Sequence, residues 1–187
     1  MTLEEMRTFD ILSADLVVFD TEFTSLDFQT NELLEIGFVK LKALTHEVLT
    51  EGDIKIKADL THASEDSLKL IGYNQEEWDK EAVTPKEGLE EFLKHTDSCV
   101  LVAHNIANDW MVIKNALAKS NLKENFHYKS IDTFTLGWYV LQGKPEFTTF
   151  SLREMAKYFK VDQGQKHRAI DDARATAEVF KKLISHE

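Results

Sequence analysis

One cysteine, two prolines and seven glycines in 187 residues exclude several architectures at the outset. With Cys99 alone no intramolecular disulfide can form, so the chain is not a disulfide-stapled scaffold. Cys99 opens the apolar run Cys99-Val100-Leu101-Val102-Ala103 and reads as a buried strand residue. Pro85, Pro145 and so few glycines argue against long flexible linkers. Basic residues are scarce as well. Lys and Arg number 22 against 33 Asp and Glu, a formal net charge of −11 and the opposite of a broad duplex-binding surface. No apolar run approaches the roughly 18 residues of a transmembrane helix. The first residues lack the apolar centre of a signal peptide. The expectation is one domain over 1–187, outside any membrane and in a reducing cytoplasm, with a hydrophobic content (43%) ordinary for a globular protein.

The most informative stretch is Val17-Val18-Phe19-Asp20-Thr21-Glu22. As a strand it delivers Asp20 and Glu22 to one face, with Thr21 opposed. Two like charges side by side on an apolar strand cost energy unless a cation lies between them. A hard divalent ion suits such oxygen donors. The plain alternative is a strand that ends at Asp20 with both acids solvated.

Around this strand the patterns predict strands at 32–44, 46–58, 100–103 and 127–131. Gly52-Asp53 is expected to bend or bulge the third strand. Helices are predicted over 3–12, in short pieces within 62–81, after Pro85, and over 108–118, 132–142, 151–159 and 169–185. Leu68, Leu70, Ile71, Tyr73 and Trp78 are core candidates of the short pieces. Strands cluster early and then alternate with helices, which implies an α/β fold with a mixed sheet flanked by helices.

Two further places combine acids with apolar periodicity. Asp109 shares a helical face with Val112, Ile113 and Ala116, which aims its carboxylate inward; a dipole-favoured acid at a helix start is the alternative. In the third place two aspartates adjoin. Asp171 aligns with Arg174, Glu178 and Lys182 on a charged face, whereas Asp172 aligns with Ala175 or Thr176, Val179 and Leu183 on the apolar stripe. Asp172 is therefore the inward carboxylate. His167 lies about one turn earlier, either a capping histidine or a general base. Four inward carboxylates would destabilise a core unless they coordinate cations. Two-metal phosphoryl hydrolysis needs such a set.

Taken together these segments resemble the DEDDh-type 3′–5′ exonucleases, the family of polymerase proofreading exonuclease domains and related nucleases. The motifs are Asp20-Thr21-Glu22, then His104-Asn105 with Asp109, then His167 to Asp172 with H-x₄-D spacing, and they span 14–184 in the family's order. Glu35-Ile36-Gly37, Ile131-Asp132-Thr133 and Ser151-Leu152-Arg153-Glu154-Met155-Ala156 are secondary echoes. The resemblance implies a ribonuclease H-like fold, with helices on both faces of the sheet. It implies that Asp20, Glu22 and Asp172 ligate a first Mg²⁺ or Mn²⁺, that Asp20 bridges to a second, and that Asp109 acts through metal-bound water. His167 would take the proton of the attacking water. Phe23, Thr24 and Leu26, with His104 and Asn105, would line the pocket of the 3′-terminal nucleotide; helix capping by Asn105 is the alternative. The substrate implied is a single-stranded 3′ end of DNA or RNA, with a polymerase or repair partner.

There are departures from the family pattern. Phe23-Thr24-Ser25-Leu26 replaces the family's Thr-Thr-Gly-Leu, and Leu70-Ile71-Gly72-Tyr73 stands where a His-Gly-Ile segment is frequent. Between 153 and 168, Arg153, Lys157, Lys160, Lys166 and Arg168 outnumber Glu154 and Asp162, so this stretch is expected either to touch phosphates or to form a solvated face. Two rivals remain. A haloacid-dehalogenase-like phosphatase needs Asp where Glu22 stands and a later Gly-Asp-x-x-x-Asp that Gly52-Asp53 does not begin. A non-catalytic module of the same fold would have no need of the carboxylates.

Overall fold

The structure, a computed structural model, describes residues 8–164 and 167–185. Five strands form one mixed sheet in the order β3-β2-β1-β4-β5: β1 Leu16–Phe23, β2 Leu33–Leu41, β3 Val48–Lys55, β4 Val100–Ala103 and β5 Ser130–Asp132. The first three pair antiparallel, whereas β4 joins β1, and β5 joins β4, in parallel. β1 is central because Leu16-Val17-Val18-Phe19 is apolar on both faces, as a strand covered on both sides must be.

The helices are α1 Glu65–Leu70, α2 Gln75–Glu81, α3 Pro85–Thr96, α4 Ala107–Lys119, α5 Thr133–Leu141, α6 Leu152–Phe159 and α7 Ala169–Ser185. Val17, Phe19 and Phe38 face one layer, where Leu89 and Phe92 of α3 and Val112, Ile113 and Leu117 of α4 bury their apolar stripes. Val18, Val39 and Val102 face the other, where Ala173, Ala177 and Phe180 of α7 lie. The sheet is thus sandwiched between helices, and every side chain of β1 is assigned to a layer by its parity. None of the described helices is long and apolar enough to cross a membrane.

Gly37 makes the α7 layer possible. A Cβ there would stand 2.1 Å from the Ala169 carbonyl carbon and the Ile170 nitrogen, so the first turn of α7 rests on bare β2 backbone.

Several expectations require correction. Gly52 does not bulge β3: it pairs in register with Phe38, and the Phe38 ring would lie 2.6 Å from a Cβ at that position. The ladder instead shifts between Lys40 and Leu41, and between Glu22 and Phe23, where β1 leaves it. Leu70 is 59% exposed, because the six-residue α1 buries no residue and Ile71, just after it, turns inward. The last strand begins at Ser130; His127 is buried and stacks on Phe9 at 4.6 Å. Of the helix expected over 3–12, residues 3–7 lie outside the described residues. Residues 11–14 are turns, closed by Ser13 Oγ donating to Asp10 Oδ2 at 2.7 Å.

Candidate active site

Asp20 and Glu22 reach the C-terminal end of β1 on the face that α7 covers. Across the β1–β2 ladder Asp20 pairs with Gly37 and Glu22 with Glu35. Opposed residues of an antiparallel pair share a face, so the α7 side of the sheet carries Asp20, Glu22 and Glu35 around a position without a side chain. The first turn of α7 fills that position and brings Asp172 with it.

Donor atoms of Glu22, His167 and Asp172 lie within 4.8 Å of one another. His167 N–H donates to Asp172 Oδ2 at 3.3 Å, which ties the histidine to the carboxylate one turn later. Asp171 points elsewhere: its Oδ1 accepts from Arg174 Nη1 at 3.1 Å, and Arg174 Nε reaches Glu51 Oε2 on β3 at 3.0 Å. The 3.6-residue period separates the two aspartates as the apolar stripe implies.

Asp109 approaches from the opposite layer. It lies in the first turn of α4, 5% exposed, among Val112 and Ile113. Its Oδ1 accepts both the Thr21 hydroxyl at 2.7 Å and the Thr21 backbone N–H at 2.9 Å. Thr21 points away from Asp20 and Glu22, so it clamps Asp109 beside the strand end from below. Nothing in the sequence pattern marks Thr21 for this; it is the odd residue between two acids.

Burial dominates the electrostatics. The Asp20 carboxyl is held well above the usual carboxylate range by burial first, then by Asp109 and Glu22. Burial and the nearby Asp172 push Glu22 up to about 8. Burial carries Asp109 to about 7 against the lowering effect of the Thr21 hydrogen bonds. Glu35 is pushed to about 7 by burial and Asp53, with Arg168 opposing. Such a set demands positive charge. Its donors, carboxylate oxygens with one imidazole, fit a divalent cation.

Asp20, Asp172 and His167, together with His104, Arg153 and Gln163, line a cleft of about 400 Å³. Ser151, whose Oγ caps α6 by accepting Glu154 N–H at 3.3 Å, and Leu152 also line it. In the sequence Arg153 stands within a charged stretch and a secondary family echo, and Gln163 carries no signal of its own. His104 Nδ1 is 3.1 Å from Thr133 Oγ1, and burial lowers its pKa.

The remaining pocket candidates divide. Phe23 is half-buried and faces Phe28 at 6.2 Å, and Leu26 is 75% exposed. Thr24 is fully buried: its Oγ1 accepts Glu32 N–H at 2.9 Å and its carbonyl accepts Ser64 N–H at 3.0 Å. Asn105 is exposed at φ +59° and its side chain does not cap α4. Asp132, the N-cap of α5, accepts Phe134 N–H at 3.1 Å on Oδ1 and takes Asn105 N–H on the same oxygen at 2.8 Å. Arg168, expected among the phosphate contacts, turns inward onto Glu35 because that buried carboxylate requires a cation. Lys166, also expected there, lies outside the described residues.

The chain matches the sequence model of the RNase T exonuclease family over residues 17–180. It is 35% identical over 178 residues to the PolC-type DNA polymerase III of Caldanaerobacter subterraneus subsp. tengcongensis and 30% identical over 171 residues to that of Thermotoga maritima. These alignments cover 92% and 91% of the chain but 12% of either polymerase. Its fold superposes on Escherichia coli exonuclease I bound to a dT13 oligonucleotide with a TM-score of 0.77 and 14% identity, over 92% of this chain and 41% of that one. Cell-death related nuclease 4 superposes with a TM-score of 0.79 at 16% identity, over 94% and 65%. With the mixed sheet, the ordered motifs and a match over most of its length, the chain belongs to the exonuclease family, the DEDDh-type 3′–5′ exonucleases of ribonuclease H-like fold.

Proposed function

We propose that the chain is a single exonuclease unit that removes nucleoside 5′-monophosphates from the 3′ end of single-stranded DNA or RNA. The observation that carries this is the meeting of Asp20, Glu22, Asp172 and His167 at one strand end, with Asp109 fixed beside them from the other helical layer. A non-catalytic module would gain nothing from so costly a set of buried charges.

In this reading Asp20, Glu22 and Asp172, with Asp109 beside them, would hold the two divalent ions, Mg²⁺ or Mn²⁺. Such ions, when bound, activate the attacking water and offset charge on the phosphate. His167 accepts the proton of that water, a task an imidazole nitrogen can perform as a general base. The bond from its backbone N–H to Asp172 keeps the residue beside the carboxylates. Arg153, which lines the cleft, meets the phosphates of the incoming strand, and Phe23 and Leu26 receive the terminal base. With a net charge of −11 the protein gains no general attraction for nucleic acid, which suits a footprint of a few nucleotides.

The polymerase relatives suggest a proofreading context, in which a polymerase is the partner and the cytoplasm the location. The oligonucleotide held by exonuclease I supports a single-stranded substrate.

The decisive assay uses 5′-labelled single-stranded DNA and RNA of matched sequence with Mg²⁺, Mn²⁺ or EDTA, and Asp172→Ala as control. The expected result is a metal-dependent ladder shortening from the 3′ end, missing in the variant. Intact strands under every condition would refute the proposal.

A further inference from the structure

Glu35 is completely enclosed, and the reaction above gives it no task. It stands opposite Glu22 on the same face of the sheet. Like charges so placed repel, and the cation that answers Glu35 comes from the loop before α7. Arg168 donates from Nε at 3.2 Å and from Nη2 at 3.1 Å to Glu35 Oε1. The other oxygen, Oε2, accepts Ala169 N–H at 3.3 Å. One buried carboxylate thus grips both the side chain of 168 and the backbone of 169.

Arg168 is held on its remaining sides as well. Its guanidinium is 3.2 Å from Glu77 Oε1 and 3.5 Å from Asp53 Oδ2, and its Cζ lies 6.0 Å from the centre of the Trp78 ring. Its carbonyl accepts the N–H groups of Asp171 and Asp172 at 3.0 and 3.1 Å, the bonds that start α7. Gly37 leaves the seat on which this turn rests.

His167 precedes this clamp and has φ +56°, a left-handed conformation that a residue with a side chain rarely adopts. Such backbone persists only where the surroundings over-determine it. Here they comprise the N–H bond to Asp172 and the immobilised Arg168.

We propose that Arg168, seated on Glu35, is a positioning residue of the exonuclease reaction: it holds the left-handed His167 and the turn bearing Asp172 against Glu22. The proposal rests on the reading of His167 and Asp172 as reacting groups. Arg168 touches neither substrate nor metal in this role. Removing it leaves Lys55 on Asp53, Glu77 and Glu81, at 3.6, 3.2 and 2.7 Å, so α2 keeps a cation while Glu35 loses its own.

The test compares Arg168→Lys, which keeps the charge but loses the fork, with the double variant Arg168→Met, Glu35→Gln, which removes both charges and leaves no buried carboxylate unpaired. Both are assayed for kcat and KM on labelled single-stranded DNA with Mg²⁺. Hydrogen exchange of the His167 amide is followed by NMR in EDTA. We expect both variants to fold, kcat to drop about 100-fold with KM nearly constant, and the His167 amide to exchange about tenfold faster than in the parent. A folded double variant with parental kcat overturns the proposal, and so does unchanged protection of the His167 amide. If the parent itself degrades no strand, the exonuclease reading fails, while the amide exchange still decides whether Arg168 holds His167.

Discussion

Thr21 Oγ1 donates to Asp109 Oδ1 at 2.7 Å across 88 residues of sequence, and the Thr21 N–H joins the same oxygen at 2.9 Å. This pair of hydrogen bonds draws a carboxylate from the α4 layer to the strand end that α7 covers from the other side. The two helical layers therefore meet at one point of β1.

Thr21→Val keeps the shape and the backbone bond but removes the hydroxyl donor. A hydrogen bond to a charged group contributes about 1.5–3 kcal/mol. The variant should melt at a lower temperature and lose about tenfold in kcat, a loss of roughly 1.4 kcal/mol in transition-state stabilisation. Thermal melts and single-turnover rates would check this, and a parental kcat would show that the backbone N–H alone suffices.

The two adjacent aspartates should behave oppositely. Asp172→Ala should abolish turnover in a folded protein, because it deletes the carboxylate next to Glu22 and His167. Asp171→Ala loses a half-exposed pair with Arg174, worth about 0–1 kcal/mol, and should leave kcat unchanged. An active Asp172→Ala beside a dead Asp171→Ala would reverse the assignment of faces.

Stability without metal should fall as pH rises. Glu22 has its folded pKa raised from 4.5 to about 8, so between those values the folded state binds more protons than the unfolded one. The stabilising effect of that protonation is full at low pH and is lost as pH climbs through the folded pKa. In EDTA the melting temperature should decline across this window, and Mg²⁺ or Mn²⁺ should raise it most at the upper end. A flat EDTA profile would mean that Glu22 is ionised throughout.

Gly37→Ala would drive a methyl group into the Ala169 carbonyl carbon, 2.1 Å away. Backbone cannot yield as a flexible side-chain tip can, so a destabilisation of about 1–3 kcal/mol or more is expected. Displacement of His167 and Asp172 should remove activity as well. Normal melting and turnover in this variant would show that α7 can dock elsewhere.

Arg153→Ala tests the basic side chain that lines the cleft. If Arg153 meets a phosphate, the variant should bind all sequences more weakly and the slope of log affinity against log salt should shrink by about one. Fluorescence anisotropy in Ca²⁺ with a labelled oligonucleotide measures both.

Local pattern alone distinguished the element types, the facing of Asp20 with Glu22, and Asp172 from Asp171, because parity along a strand and the 3.6-residue period act within one element. The order of the carboxylate motifs was enough to place the chain in its family. Four relationships depended on how elements from distant parts of the chain dock: Thr21 beneath Asp109, Glu35 opposite Glu22, Gly37 under Ala169, and Arg168 turned inward instead of outward to phosphate. Each is set by strand register and by the closeness of helix to sheet. A charged residue such as Arg168 carries no local sign of which way it points. Only the buried carboxylate facing it, contributed by another strand, decides that.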